Sequence, residues 1–122
     1  MTEKDLILRT KSFALRVVNV VNALPRSIPG IRIADQLFRC GTSVAANYRA
    51  ACKGRSKAEF VAKLGTVEEE ADECAFWLEM IIDTGILEPK KVEPLRAEAY
   101  ELSRIMAASK MTARSKMHRA RN

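Results

Sequence analysis

Apolar residues recur along four stretches of the chain at alternating steps of four and three, and polar clusters separate the stretches. The longest stretch runs from Ser56 to Thr84, where Phe60, Leu64, Val67, Ala71, Cys74, Leu78 and Ile81 form one seam. At about 100° per residue the seam lies on a single side of a helix, buried along its length against other helices. Ser56 and Glu59 stand at capping-box spacing. The Ser56 hydroxyl accepts from an early helix N–H, and Glu59 reaches back to the Ser56 backbone. Gly85 can turn left-handed and stop the helix, with Ile86 and Leu87 folding back onto its end. The predicted helix has about 28 residues, about 42 Å at 1.5 Å each, and needs companions of similar length.

The same periodicity predicts three companions. Leu6, Thr10, Phe13, Val17, Val20 and Leu24 place a helix at about 3–24, ended by Pro25. Ile33, Leu37, Cys40, Gly41, Val44, Tyr48 and Ala51 place a second at about 31–53, after a turn-rich link from Pro25 to Gly30. Gly41 lowers the propensity of that helix by roughly 1 kcal/mol, which is tolerable where a backbone or a bulky ring packs against it. Val92, Leu95, Ala99, Leu102 and Met106 place the last helix at about 90–110, with Pro89 in its first turn. Ser109, Ala113 and Met117 continue its seam only weakly, so residues 111–122 are expected to fray as a basic C-terminal tail. Amphipathic helices, short links and no strand-like alternation define an all-α fold, an antiparallel up-down-up-down four-helix bundle over residues 1–110.

Some faces opposite the seams are not simply polar. Helix three carries Glu69, Glu73, Phe76, Trp77 and Met80 there, and helix one carries Leu8 and Leu15 one heptad apart. Phe76 and Trp77 fit either the margin of a broad core or a subunit interface, where aromatics and Met concentrate. Leu8 and Leu15 favour the interface. These seven residues form the candidate surface for a homo-oligomer.

A chain of 122 residues with 48% hydrophobic content is long enough to bury a core of its own. No apolar run approaches the roughly 18 residues of a membrane span, and the N-terminal sequence is not a signal peptide, so a cytoplasmic protein without a membrane partner is expected. Cys40, Cys52 and Cys74 make an odd count without a C-x-x-C pair. They suit reduced thiols, with Cys40 and Cys74 as core residues.

The net charge of +6 changes the picture more. Residues 1–101 hold 15 basic and 15 acidic side chains, whereas residues 102–122 hold six basic and no acidic ones. Lys110, Arg114, Lys116, Arg119 and Arg121 belong to that excess. With Arg32, Arg39, Arg49, Lys53 and Arg55, from the outer side of helix two and the link after it, they are candidates to neutralise phosphates of RNA or DNA. No aromatic residue is interleaved in the tail to stack bases, and a basic tail is also an ordinary solvated end. A structural or protein-adaptor module without nucleic-acid binding is the alternative.

Catalysis finds little support. His118, the single histidine, lies in the basic tail, away from Ser43 and the cysteines in sequence, and there is no Gly-rich phosphate loop. The run Glu68, Glu69, Glu70, Asp72, Glu73 lacks the Glu-x-x-His pairs of bundle metal sites. It is read as ion-pairing with a basic face in the same or a neighbouring chain. Asn47 is expected to bond across helices. No catalytic, metal or cofactor site is expected.

The segment RCGTSVAANYRAACKGRSKAEFVAKLGTVEEEADECAFWLEMI resembles a bacterial family of four-helix bundles named after proteins encoded in intervening sequences of large-subunit ribosomal RNA genes. Ser43, Ala46 and Asn47, then Ser56, Lys57, Glu59, Phe60, Leu64 and Glu68, carry the likeness, as does the exit from Thr84 to Leu87. It spans about Phe13 to Ala108. After Asn47 the chain reads Tyr-Arg-Ala-Ala-Cys where other branches place Ile-Ala-Glu-Gly. The resemblance implies an up-down bundle assembled as a homopentameric barrel, with no catalytic residues to carry over. The accessory proteins of diversity-generating retroelements are similar, and that likeness implies a basic pentamer binding nucleic acid and a nucleic-acid enzyme, a reverse transcriptase.

Overall fold

The computed structural model describes residues 1–121, the side chains of residues 120 and 121 excepted. Four helices follow one another, α1 (Glu3–Ala23), α2 (Ile28–Cys52), α3 (Lys57–Thr84) and α4 (Pro89–Arg121). Facing pairs set the antiparallel register. Gly41 of α2 lies against Val17 of α1, Cys40 faces Cys74 of α3 with sulfurs 3.0 Å apart, and Glu68 of α3 meets Lys110 of α4 at 2.7 Å. A bidentate pair closes the ring, with Arg9 Nε and Nη2 of α1 each 2.7 Å from the Glu98 carboxylate of α4. The predicted up-down-up-down bundle is the observed one.

The seams meet in a single core that includes Phe13, Val17, Leu37, Val44, Tyr48, Leu64, Leu78, Ile81, Leu102 and Met106. Each fully buried Leu, Ile or Phe contributes about 1.5–3 kcal/mol relative to exposure, so the interlocked seams stabilise the bundle far more than helix propensity does. Thr10 is the buried polar member of the core, and its hydroxyl donates to the Leu6 carbonyl at 2.8 Å. The sulfur contact to Cys40, together with burial, holds the Cys74 thiol protonated. Asn47 is half-buried and donates back to Ser43 at 2.7 and 3.1 Å, while its Oδ1 accepts from Lys63 of α3 at 3.5 Å.

The helix ends follow local rules. Ser56 Oγ accepts from the Glu59 N–H at 3.1 Å, as the spacing predicts. The Glu59 carboxylate accepts from the Arg55 N–H at 2.7 Å rather than from Ser56, one residue beyond expectation. Gly85, with φ of 71°, ends α3 in the left-handed region, and the Ile86 N–H returns to the Ile81 carbonyl at 3.2 Å. A capping box, in which Thr2 and Asp5 serve each other, starts α1.

Two boundaries differ from expectation. Helix α2 begins at Ile28, inside the stretch expected to be a link. Ser27 is its N-cap, and Pro29 and Gly30 fall in the first turn, where a missing N–H leaves no bond unmade. Helix α4 runs to Arg121 instead of fraying after Lys110. The first turns of α3 need a partner: Val61 is buried, Met117 and Ala113 are half-buried, and Arg114, Met117 and His118 line a small cavity with Ala58 and Val61. The first turns of α3 give the late turns of α4 a surface to pack on.

Candidate nucleic-acid interface

Helix α1 has 21 residues and α4 has 33. Antiparallel pairing through Arg9 and Glu98 sets Glu3 near the middle of α4, so the later turns of α4 have no α1 beside them. Phe60 shows the consequence. It sits on the core-facing seam of α3 yet is only half-buried, because the wall that would cover it ends at Glu3. A cleft of about 700 Å³ opens there between the α2–α3 junction and the last third of α4.

Arg55, Lys57 and Lys116 line this cleft, and Glu3 is its one acidic lining residue. Arg49 in the last turn of α2 and Lys53 at its C-cap stand at the same end. Arg114 and His118 border the adjoining cavity of about 270 Å³. Basic residues near positions 49–57 and 114–119, far apart in sequence, thus converge at one end of the bundle. Lys57 belongs to this group and escapes a sequence reading, because Lys116 meets it only in the folded chain.

The remaining predicted cations divide. Arg39 is held by Glu70 at 3.1 Å and by Glu73, so it answers the acidic run of α3 within the same chain. Lys110 is bound to Glu68. Both are engaged in ion pairs. Arg32 is exposed in the first turns of α2, at the opposite end of the molecule, and lies apart from the cleft. Arg119 is exposed on the last turns of α4, and the side chain of Arg121 lies outside the described residues.

The candidate interface residues are also sorted by the fold. Leu8, Leu15 and Phe76 are 61%, 59% and 51% exposed. Trp77 and Met80 are half-buried against the core, and the indole N–H donates to Glu73 at 3.3 Å. Phe76 meets the Trp77 ring edge-on at 5.0 Å. Glu69 is exposed, whereas Glu73 is taken by Arg39. Sequence reading passed over Ile31 and Phe38, exposed one heptad apart on the outer side of α2. Their seven-residue spacing was the available signal, hidden by the arginines around them.

Among the described residues the cleft holds no activated nucleophile. Burial pushes the half-buried Cys52 thiol up, so it stays neutral. His118 lines a different cavity. Among the described residues no three His, Cys, Asp or Glu side chains converge as a metal site. No helix among them is long and apolar enough to cross a membrane.

The fold and this end of the molecule define a small helical bundle with an open, cationic mouth. The chain belongs to the 23S rRNA-intervening sequence protein family, whose family model matches residues 3–108. It is similar to a protein of unknown function from the S23 ribosomal protein family of Bacteroides thetaiotaomicron VPI-5482, known from its crystal structure. The two are 29% identical with a TM-score of 0.78, over 84% of this chain and 95% of that one. No curated protein matches the sequence. The family match ends at Ala108, so Ser109, Thr112, Ala113 and Lys116, which form one wall of the cleft, lie beyond it.

Proposed function

We propose that the chain is a non-enzymatic, self-associating helical bundle that binds RNA or DNA through its basic end. The observation that carries this reading is the convergence of Arg55, Lys57 and Lys116 on one cleft, with Arg114 beside it and Glu3 the single acid on its lining. Cations that outnumber the carboxylates beside them displace counterions from a phosphate backbone, which drives binding with little sequence preference. Leu8, Leu15, Ile31, Phe38 and Phe76 supply exposed apolar surface for contact between copies. Five is the subunit number that the family resemblance implies.

Fluorescence anisotropy with labelled RNA and DNA tests the nucleic-acid reading. About five phosphate contacts weaken binding by two to three powers of ten between 50 and 200 mM salt. Deleting residues 111–122 removes Arg114, Lys116, Arg119 and Arg121, and is expected to abolish most of that affinity. Absence of binding at low salt, or full binding by the truncated chain, refutes the assignment.

A further inference from the structure

Resting on the proposed nucleic-acid binding, we infer that the cleft takes unpaired nucleotides, so that the protein binds single strands in preference to duplexes. Its volume of about 700 Å³ lies within the roughly 300–1,000 Å³ of pockets that enclose a small ligand. One or two nucleotides fit such a space, and a duplex does not. The lining is divided by chemistry. Ala51, Ala108 and Ala113 give apolar walls, and Phe60 is the one aromatic lining residue. Arg55, Lys57 and Lys116 are charged lining residues of the same cleft. An aromatic ring among apolar walls with nearby cations is the combination that stacks a base while tracking its phosphates.

Groove reading of a duplex by α4 is disfavoured by the same geometry. Residues two apart do not share a helix face, so Arg114 and Lys116 project to different sides. Arg114 borders the α3 cavity and Lys116 borders the cleft. Arg114 and Lys116 therefore do not form one basic stripe for a major groove. Most of the α4 wall of the cleft lies past Ala108, outside the residues that the family model matches.

The test compares 20-nucleotide single-stranded RNA, single-stranded DNA and the corresponding duplexes by anisotropy with the full chain. Single strands are expected to bind at least tenfold more tightly than duplexes. A double variant, Ala108→Leu with Thr112→Leu, fills the cleft from two exposed positions of α4. It should lower single-strand affinity about tenfold, the weight of one stacked base, and leave duplex affinity unchanged. Phe60→Ala should do the same, with circular dichroism reporting its fold. Either RNA or DNA as the tighter single strand supports the inference and names the natural source. Equal binding of single strands and duplexes, or undiminished single-strand binding by the filled variant, overturns the inference and leaves the electrostatic reading standing. Loss of all binding at low salt overturns that reading, and this one with it.

Discussion

Val17 and Gly41 show how one residue decides how closely two helices approach. A Cβ built at Gly41 would stand 2.6 Å from Val17 Cγ1 and 2.9 Å from its Cβ. Val17 is fully buried and β-branched, so it has little freedom to move aside. The neighbour is an aliphatic side chain, not the backbone or ring that the sequence suggests. Gly41→Ala gains about 1 kcal/mol of helix propensity and meets overpacking of about 1–3 kcal/mol. The expected net loss is about 1 kcal/mol by urea denaturation, and Val17→Ala in the same chain should recover part of it. A Gly41→Ala protein more stable than the parent would show that α1 and α2 are not in this close register.

Single cations are read less surely from sequence than single apolar residues. Arg39 and Lys110 look like the other basic candidates until α3 brings Glu70, Glu73 and Glu68 to them. Lys57 meets Lys116 only in the folded chain. Charge acts over several ångströms in every direction, and its partners are set by packing, whereas an apolar residue on a seam has only one side to go to.

Among the helices, α4 carries the largest departure from expectation. Its late apolar positions are too sparse to predict helix alone, but α3 supplies a template along which Ala113 and Met117 half-bury. The same helix tolerates Pro94 inside it, at an exposed position in its second turn. Pro94 cannot donate to the carbonyl four residues earlier, a loss of about 3 kcal/mol in a helix interior. Pro94→Ala is expected to stabilise the protein by about 2 kcal/mol, read as a rise of several degrees in Tm. Nearby, Arg96 is paired with Glu93 and lies over the Tyr100 ring at 5.2 Å, and Tyr100 donates to Glu79. An unchanged or lower Tm for Pro94→Ala would refute this prediction.

At the scale of the whole molecule, unequal helices and unpartnered apolar residues matter most. The difference between α1 and α4 opens the cleft, while Leu8 and Leu15 on α1 and Ile31 and Phe38 on α2 leave apolar surface outside the bundle. On the proposed self-association, light scattering should give a mass several times the 13.6 kDa of the chain. Leu15→Glu with Phe38→Glu places two charges on that surface and should shift the protein to the monomer without lowering its helix content. A monomeric parent at micromolar concentration would refute self-association.

The bundle was legible in the sequence because its seams repeat over whole helices, so single weak positions do not alter the reading. The core, the capping residue Ser56, the stop at Gly85 and the antiparallel order all follow from periodicity and short links. Local chemistry also held the starts of α1 and α2, in Thr2 with Asp5 and in Ser27 with Pro29, although the apolar pattern alone obscured them. The reach of α4, the half-exposure of Phe60 and the meeting of Arg55 and Lys57 with Lys116 were decided only by tertiary structure. Each depends on where one helix ends relative to another, a difference in length that no single stretch of sequence contains.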